Sequence, residues 1–217
     1  MCLFAIKNSV MEVLLLLIVA YLLGSIPTSV WIGKYFYGID IREHGSGNAG
    51  ATNTFRVLGK KPGIIVLLID IIKGSLAVSL SYIFEDSLPA NEFVDIEIGL
   101  AIAAVFGHIF PVFAGFRGGK GVATLLGATV IITPISCAFA LVVFLIVLFS
   151  TRYVSLSSML AGISYPIILH FILNNQQKTL TIYSILIAVL LIITHRKNIR
   201  RLLSKTESKI VLAKSKA

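Results

Sequence analysis

Apolar runs close to the thickness of a bilayer recur along this chain, near residues 11–33, 62–84, 96–114, 121–133, 135–150, 154–173 and 178–195. A helix needs roughly 20 such residues to cross a hydrocarbon core of about 30 Å, where no water satisfies an open backbone. The chain is thereby confined to an all-α polytopic membrane fold. Its composition agrees, with 57% hydrophobic and 13% charged residues, far from soluble averages. Residues 121–150 are too long for one span, and Thr133-Pro134 supplies the turn between two short ones. Seven transmembrane helices is the resulting count, with six as the alternative. No repeat or low-complexity linker interrupts the pattern, so a single domain over 1–217 is expected, ending in a basic tail at 199–217.

Orientation follows from the placement of Lys and Arg. With the N-terminus outside, Lys34, Arg42, Arg56, Lys60, Lys61, Arg117, Lys120, Arg152 and the whole basic tail fall in the cytoplasm. Only Lys7 and Lys178 then lie outside, and Lys73 lies within a span. The outward segment 85–97 carries Glu85, Asp86, Glu92, Asp95 and Glu97 with no Lys or Arg. The formal charge of +9 thus reflects topology and anionic headgroups. Without aromatic platforms among the basic residues, no nucleic-acid partner is expected. Lys7 ahead of an apolar core imitates a signal peptide, but the run continues past Gly24 without a small-residue cleavage site, which favours an uncleaved first helix. Whether Met1 or Met11 starts the chain stays open. Cys2 and Cys137 lie far apart and form neither a disulfide nor a metal pattern, and no metal ligand cluster declares itself.

Two glycine-rich, cationic segments break the apolar pattern: 45–53, Gly-Ser-Gly-Asn-Ala-Gly-Ala-Thr-Asn, and 117–121, Arg-Gly-Gly-Lys-Gly. Both fall on the cytoplasmic side of the expected topology. Glycines let bare backbone N–H groups approach an oxyanion, so the pair suggests a phosphorylated substrate handled beside lipid. Residues 45–50 match Gly-x-Gly-x-x-Gly, with Asp70 twenty residues beyond Gly50. That fingerprint requires a preceding strand, and here a membrane helix precedes it, which excludes a dinucleotide fold. The second segment is no Walker loop either, because Ala114 and Gly121 stand where Gly and Ser or Thr are needed. A non-nucleotide anion site fits better. A helix starting near Gly50 would aim its positive end at the anion, and Thr52, Asn53 and Arg56, at i, i+1 and i+4, share one face. Lys120 supplies a point charge; a topology anchor is its bland alternative.

Other candidates accompany these segments. His108-Ile109-Phe110-Pro111 breaks the third span and frees a backbone carbonyl. Asp70 and Lys73, one turn apart inside the second span, can pair and support the loop structurally. His195 and Asn198, at i and i+3, share a face at the end of the last span.

These residues carry a resemblance. Gly24-Ser25-Ile26-Pro27-Thr28-Ser29, Gly38-Ile39-Asp40-Ile41-Arg42 and the stretch 45–63 resemble the first motif of the bacterial acyl-phosphate:glycerol-3-phosphate acyltransferase family. Gly107-His108 through Gly119-Lys120-Gly121-Val122-Ala123-Thr124 is similar to its second motif, and 151–158 to its third. The ending His195-Arg196-Lys197-Asn198-Ile199 with Arg201-Leu202-Leu203 is similar too. Ser204-Lys205 departs from the glycine expected in the tail, and 211–217 is extra length.

The resemblance implies a seven-helix enzyme of the bacterial inner membrane, N-terminus outside and C-terminus cytoplasmic, with a cytoplasm-facing site. It implies acyl transfer from acyl phosphate to the sn-1 hydroxyl of glycerol 3-phosphate, giving lysophosphatidic acid and phosphate. Ser46, Arg56, Lys120, His195 and Asn198 correspond to its catalytic substrate contacts. Gly45, Gly47, Asn48, Gly50, Thr52, Asn53, His108, Gly118 and Gly119 are the further substrate-binding candidates. No cofactor or metal is implied. The partners implied are membrane lipid and a soluble acyl-carrier-protein phosphate transacylase that supplies the acyl phosphate. The His-x4-Asp pair of many glycerolipid acyltransferases is missing, since none of the four histidines has an Asp five residues on. An acyl phosphate carries a good leaving group, so a covalent nucleophile is not required. The competing class is a transporter of a small anionic solute, whose broken helices would meet at the membrane midplane.

Overall fold

The computed structural model describes residues 2–210, with side chains from Val10 onward. Cys2 and Lys7 as side chains, and the extra length at 211–217, lie outside the described residues. Every regular element among the described residues is helical, and the chain divides into two compact units, one ending at Ile132 and one beginning at Thr133.

The first unit holds α1 (Cys2–Gly24), α2 (Thr28–Tyr37), α3 (Ala51–Val57), α4 (Lys60–Ser79), α5 (Ala90–Ile109) and α6 (Val122–Ile132). In a membrane the helices gain little from burying apolar surface, so close backbone contact between small residues matters more. Here α1 packs on α5 and α4 on α6. A side chain on Gly24 would run into the Ala104 carbonyl, and one on Gly74 into that of Thr124. Ala20, Ala77, Leu100 and Ala104 form the fully buried centre. A second cluster, Val30, Ile41 and Ala49 with Val57 and Leu58, fixes the long connection between α2 and α3.

The second unit holds α7 (Pro134–Thr151), α8 (Val154–Ile167), α9 (Lys178–Thr194) and α10 (Arg196–Leu203). Pro134 begins α7, where a missing N–H costs nothing. Pro166 inside α8 is followed by a π turn at Ile168–Ile172, which absorbs the lost hydrogen bond. The axis bends by 60° between α9 and α10.

Among the described residues, five helical stretches are long and apolar enough to cross a membrane: Val10–Tyr37, Lys60–Phe84, Ala90–Ala114, Pro134–Thr151 and Val154–Ile172. Counting the bent pair α9 and α10 as one span gives six. The run expected to span at 121–133 forms α6, only 11 residues. At about 1.5 Å per residue it covers roughly half the hydrocarbon core. The expected first span is recovered within Val10–Tyr37, its helix broken at Ser25-Ile26-Pro27 between α1 and α2.

Trp31, Tyr35, Phe36, Phe113 and Phe116 are exposed, with the Trp31 and Phe113 rings 6.3 Å apart. Such aromatics mark headgroup depth. They flank the α2–α3 connection and residues 117–121.

Candidate active site

The first glycine-rich segment is shaped by Asn53, which is 1% exposed. Its Nδ2 donates to the carbonyls of Ile41 (2.9 Å) and His44 (3.0 Å). Its Oδ1 accepts from Ser46 N (2.8 Å) and Ser46 Oγ (3.1 Å). Expected to touch substrate, Asn53 instead commits its whole amide to the loop. Ser46 gains from this arrangement. Because its hydroxyl proton points to Asn53, its oxygen lone pairs are left as acceptors.

The segment was also expected to form a nest of N–H donors. The structure gives two glycine N–H groups of this segment and two of the second to protein carbonyls. Gly47 N–H donates to His44 O, Gly50 N–H to Asn48 O, Gly118 N–H to Ile109 O and Gly119 N–H to His108 O, all at 3.1 Å. The glycines therefore contribute shape more than donors. Gly47 sits at φ 72°, a turn conformation costly for other residues. Helix α3, seven residues long, carries Thr52 and Arg56 one turn apart. It is too short to add much dipole, so cationic side chains must supply the positive charge.

The second segment rests on His108, which is buried. A Cβ on Gly119 would collide with His108 Nε2 and come within 2.7 Å of Ala49 O. Only glycine lets the two glycine-rich segments approach so closely. His108 Nδ1 lies 3.1 Å from Thr124 Oγ1. Lys120 follows directly, half-buried, with a position dictated by this seat.

Arg42 joins the two segments, a role the sequence did not disclose. Its Nε and Nη2 donate to Asp40 at 2.9 and 2.7 Å, and its Nη1 to the carbonyls of Ala114 (2.7 Å) and Arg117 (3.3 Å). The planar guanidinium fork suits this geometry as an ammonium would not. The Arg42 side-chain hydrogen bonds hold Asp40 well below the usual carboxylate range; burial opposes them, and the Arg42 N–H and Lys34 reinforce them. A depressed folded value stabilises the protein above the unfolded value of about 3.9 and ceases to do so as pH falls through the folded one. Asp40→Asn should therefore lower the thermal midpoint at neutral pH, and its gap to wild type should close below roughly pH 4. A gap that stays constant through the acid range would contradict this.

In the second unit His195 and Asn198 are 2% and 4% exposed. His195 stands at the bend between α9 and α10, its Nδ1 2.7 Å from Leu191 O. A carbonyl only accepts, so His195 Nδ1 carries a proton. Asn198 Nδ2 donates to Glu207 Oε1 at 2.7 Å.

Glu207 also accepts from Ser155 Oγ (2.8 Å) and Arg201 Nε (2.7 Å). Burial would raise this carboxylate, but its hydrogen bonds from Asn198, Ser155 and Arg201 outweigh that and lower it. The sequence held one signal for it: Glu207 is the only acidic residue after Glu97.

The tail reaches back because Lys205 adopts φ 58° just beyond α10. Lys205 N–H then donates to Leu202 O, while Thr206 N–H and Glu207 N–H both donate to Arg201 O. This left-handed closure is where glycine is preferred, which accounts for the glycine expected there. Lys205→Gly should stabilise the fold by about 0.5–1 kcal/mol, read as a higher thermal midpoint with unchanged activity.

Among the described residues no group of three or more His, Cys, Asp or Glu is placed to hold a metal.

Comparison with known proteins matches the chain to a family. The glycerol-3-phosphate acyltransferase family model matches residues 14–205. The chain is 52% identical to a glycerol-3-phosphate acyltransferase of Bacillus cytotoxicus over 195 residues, 90% of this chain and 93% of the relative. It is 44% identical to that of Chlorobaculum tepidum, covering 91% and 96%. Among solved structures, the integral membrane glycerol 3-phosphate acyltransferase PlsY (YgiH) in its glycerol 3-phosphate form superposes with a TM-score of 0.82 at 39% identity, over 92% of this chain and 96% of that one. Its lysophosphatidic acid form gives 0.78 at 38%, over 92% and 95%. The chain belongs to the glycerol-3-phosphate acyltransferase family.

Proposed function

We propose that this protein transfers a fatty acyl group from acyl phosphate to the sn-1 hydroxyl of glycerol 3-phosphate. The observation that carries the reading is the likeness, over nearly the whole chain, to an acyltransferase solved in its glycerol 3-phosphate form. The products are lysophosphatidic acid and inorganic phosphate. Seven spans, counting the short α6 and the bent α9–α10 pair as one each, an outer N-terminus and a cytoplasm-facing site in the bacterial inner membrane complete the reading, supported by the Lys and Arg placement. A soluble acyl-carrier-protein phosphate transacylase supplies the donor.

In the reaction, the sn-1 oxygen attacks the acyl carbonyl carbon and the bond from that carbon to the phosphate oxygen breaks. Phosphate departs with the electron pair, and the hydroxyl proton passes to a phosphate oxygen. Two anionic substrates repel each other, so the protein's first task is to offset their charge and orient them. Arg56 and Lys120 bind the phosphate of glycerol 3-phosphate, Arg56 through its planar fork and Lys120 as a point charge. Ser46 Oγ, with its proton held by Asn53, accepts from a substrate hydroxyl. Thr52 and Asn48 are further polar contacts, while Gly45, Gly47, Gly50, Gly118 and Gly119 shape the loops. His195 and Asn198 are further substrate-contact candidates, as the family resemblance implies.

The test is acyl transfer to labelled glycerol 3-phosphate by the purified protein in lipid, with palmitoyl phosphate, palmitoyl-CoA and palmitoyl carrier protein assayed in parallel. Lysophosphatidate from the acyl phosphate alone is expected. Product from a thioester would keep the enzyme class and overturn the donor. No product from any donor, in folded protein that binds glycerol 3-phosphate, would overturn the reading in favour of transport.

A further inference from the structure

Asp70, Lys73 and His108 are ionisable side chains inside candidate spans, 2%, 3% and 7% exposed. Charges at membrane depth are expensive and call for a reason. Asp70 Oδ1 is the hub. It lies 2.8 Å from Lys73 Nζ, accepts from Thr28 Oγ1 at 3.1 Å, and stands 3.7 Å from His108 Nδ1. Lys73 Nζ also donates to Ile26 O at 2.8 Å, in the break between α1 and α2. A pair that only braced the bundle would close on itself. This one extends through His108 and Thr28 to a small cleft whose lining includes Ala49 of the first glycine-rich segment and Gly118 of the second. The His108 imidazole is held on one side by Thr124 and Asp70, and its Nε2 meets the face of Gly119 where a Cβ would stand.

We propose that Asp70, Lys73 and His108 are positioning residues for glycerol 3-phosphate, which seat Gly119 so that the adjacent Lys120 ammonium meets the substrate phosphate. The inference rests on the acyltransferase reading above. None of the three touches the substrate. Their effect is therefore selective: it falls on glycerol 3-phosphate and leaves the acyl donor alone.

The experiment uses the full chain in detergent, with Asp70→Asn/Lys73→Gln as the charge-free double variant and His108→Gln beside it. Thermal unfolding, kinetics against each substrate and hydrogen exchange at the 117–121 amides are measured together. The double variant should recover most of the stability that Asp70→Asn alone loses. Its KM for glycerol 3-phosphate should stay raised by roughly tenfold or more, since small displacements at a site are costly. The KM for acyl phosphate should stay within about twofold, and the 117–121 amides should exchange faster. Recovery of both stability and KM would overturn the proposal and leave a self-neutralising brace. Equal losses against both substrates would overturn it too. If the double variant does not fold, His108→Gln decides: a wild-type KM for glycerol 3-phosphate overturns the proposal. If the wild type transfers no acyl group, the functional reading fails separately, and unchanged exchange at 117–121 would then sink this one.

Discussion

Lys120→Ala should lower kcat/KM for glycerol 3-phosphate by about 10³-fold, since removing one partner of a desolvated charge pair costs roughly 3–5 kcal/mol. The protein must hold two anions within bonding distance, and the second glycine-rich segment offers Lys120 at the point where His108 and Gly119 fix the backbone. Lys120→Arg should recover only part of the loss, because a planar fork does not replace a compact ammonium on a loop seated this tightly. Activity within a few-fold of wild type would remove Lys120 from the site. His108→Ala should weaken turnover without abolishing it.

Gly119→Ala is expected to raise KM for glycerol 3-phosphate by about 10²-fold, the scale of loss when a reactive group is displaced by about 1 Å. One methyl group suffices because its carbon would meet His108 Nε2 and stand 2.7 Å from Ala49 O. The backbone carbonyl cannot turn aside as a flexible side chain would, so the 117–121 segment must shift and take Lys120 with it. Gly119→Ala/His108→Ala should regain part of the affinity by making room on one side. In a double-mutant cycle that appears as strong non-additivity. Simple additivity of the two losses would show that the methyl and the imidazole do not compete for space.

Much of this architecture is legible in the residues. The apolar runs announce the helices, Thr133-Pro134 falls at the α6–α7 turn, and Asp70 and Lys73 pair as their spacing implies. The chain break at His108–Pro111 is equally plain, since α5 stops at Ile109. Hydrophobicity, however, reports what a segment tolerates and not how far it extends. Residues 121–133 thus read as a full-length span, whereas α6 has only 11 residues.

The site was harder to read where a side chain acts on backbone. Nothing in the sequence shows that Arg42 reaches carbonyls of residues 114 and 117, or that Asn53 commits its amide to Ile41, His44 and Ser46. Backbone acceptors have no sequence signature. The same blindness hid the fate of the Gly47, Gly50, Gly118 and Gly119 N–H groups, which composition offers to an anion and the fold assigns to carbonyls.

The pairing of Asp70 with Lys73 also bears on how the protein is made. Both charges ride on α4, three residues apart. A membrane-insertion machinery receiving α4 alone meets one neutral dipole, with each charge already satisfied by the other within a single turn. Insertion of α4 therefore need not wait for His108, on the later helix α5, to arrive. Separating the two charges onto different helices would keep the finished contacts and forfeit that independence, leaving each segment to enter the bilayer with an unpaired ion.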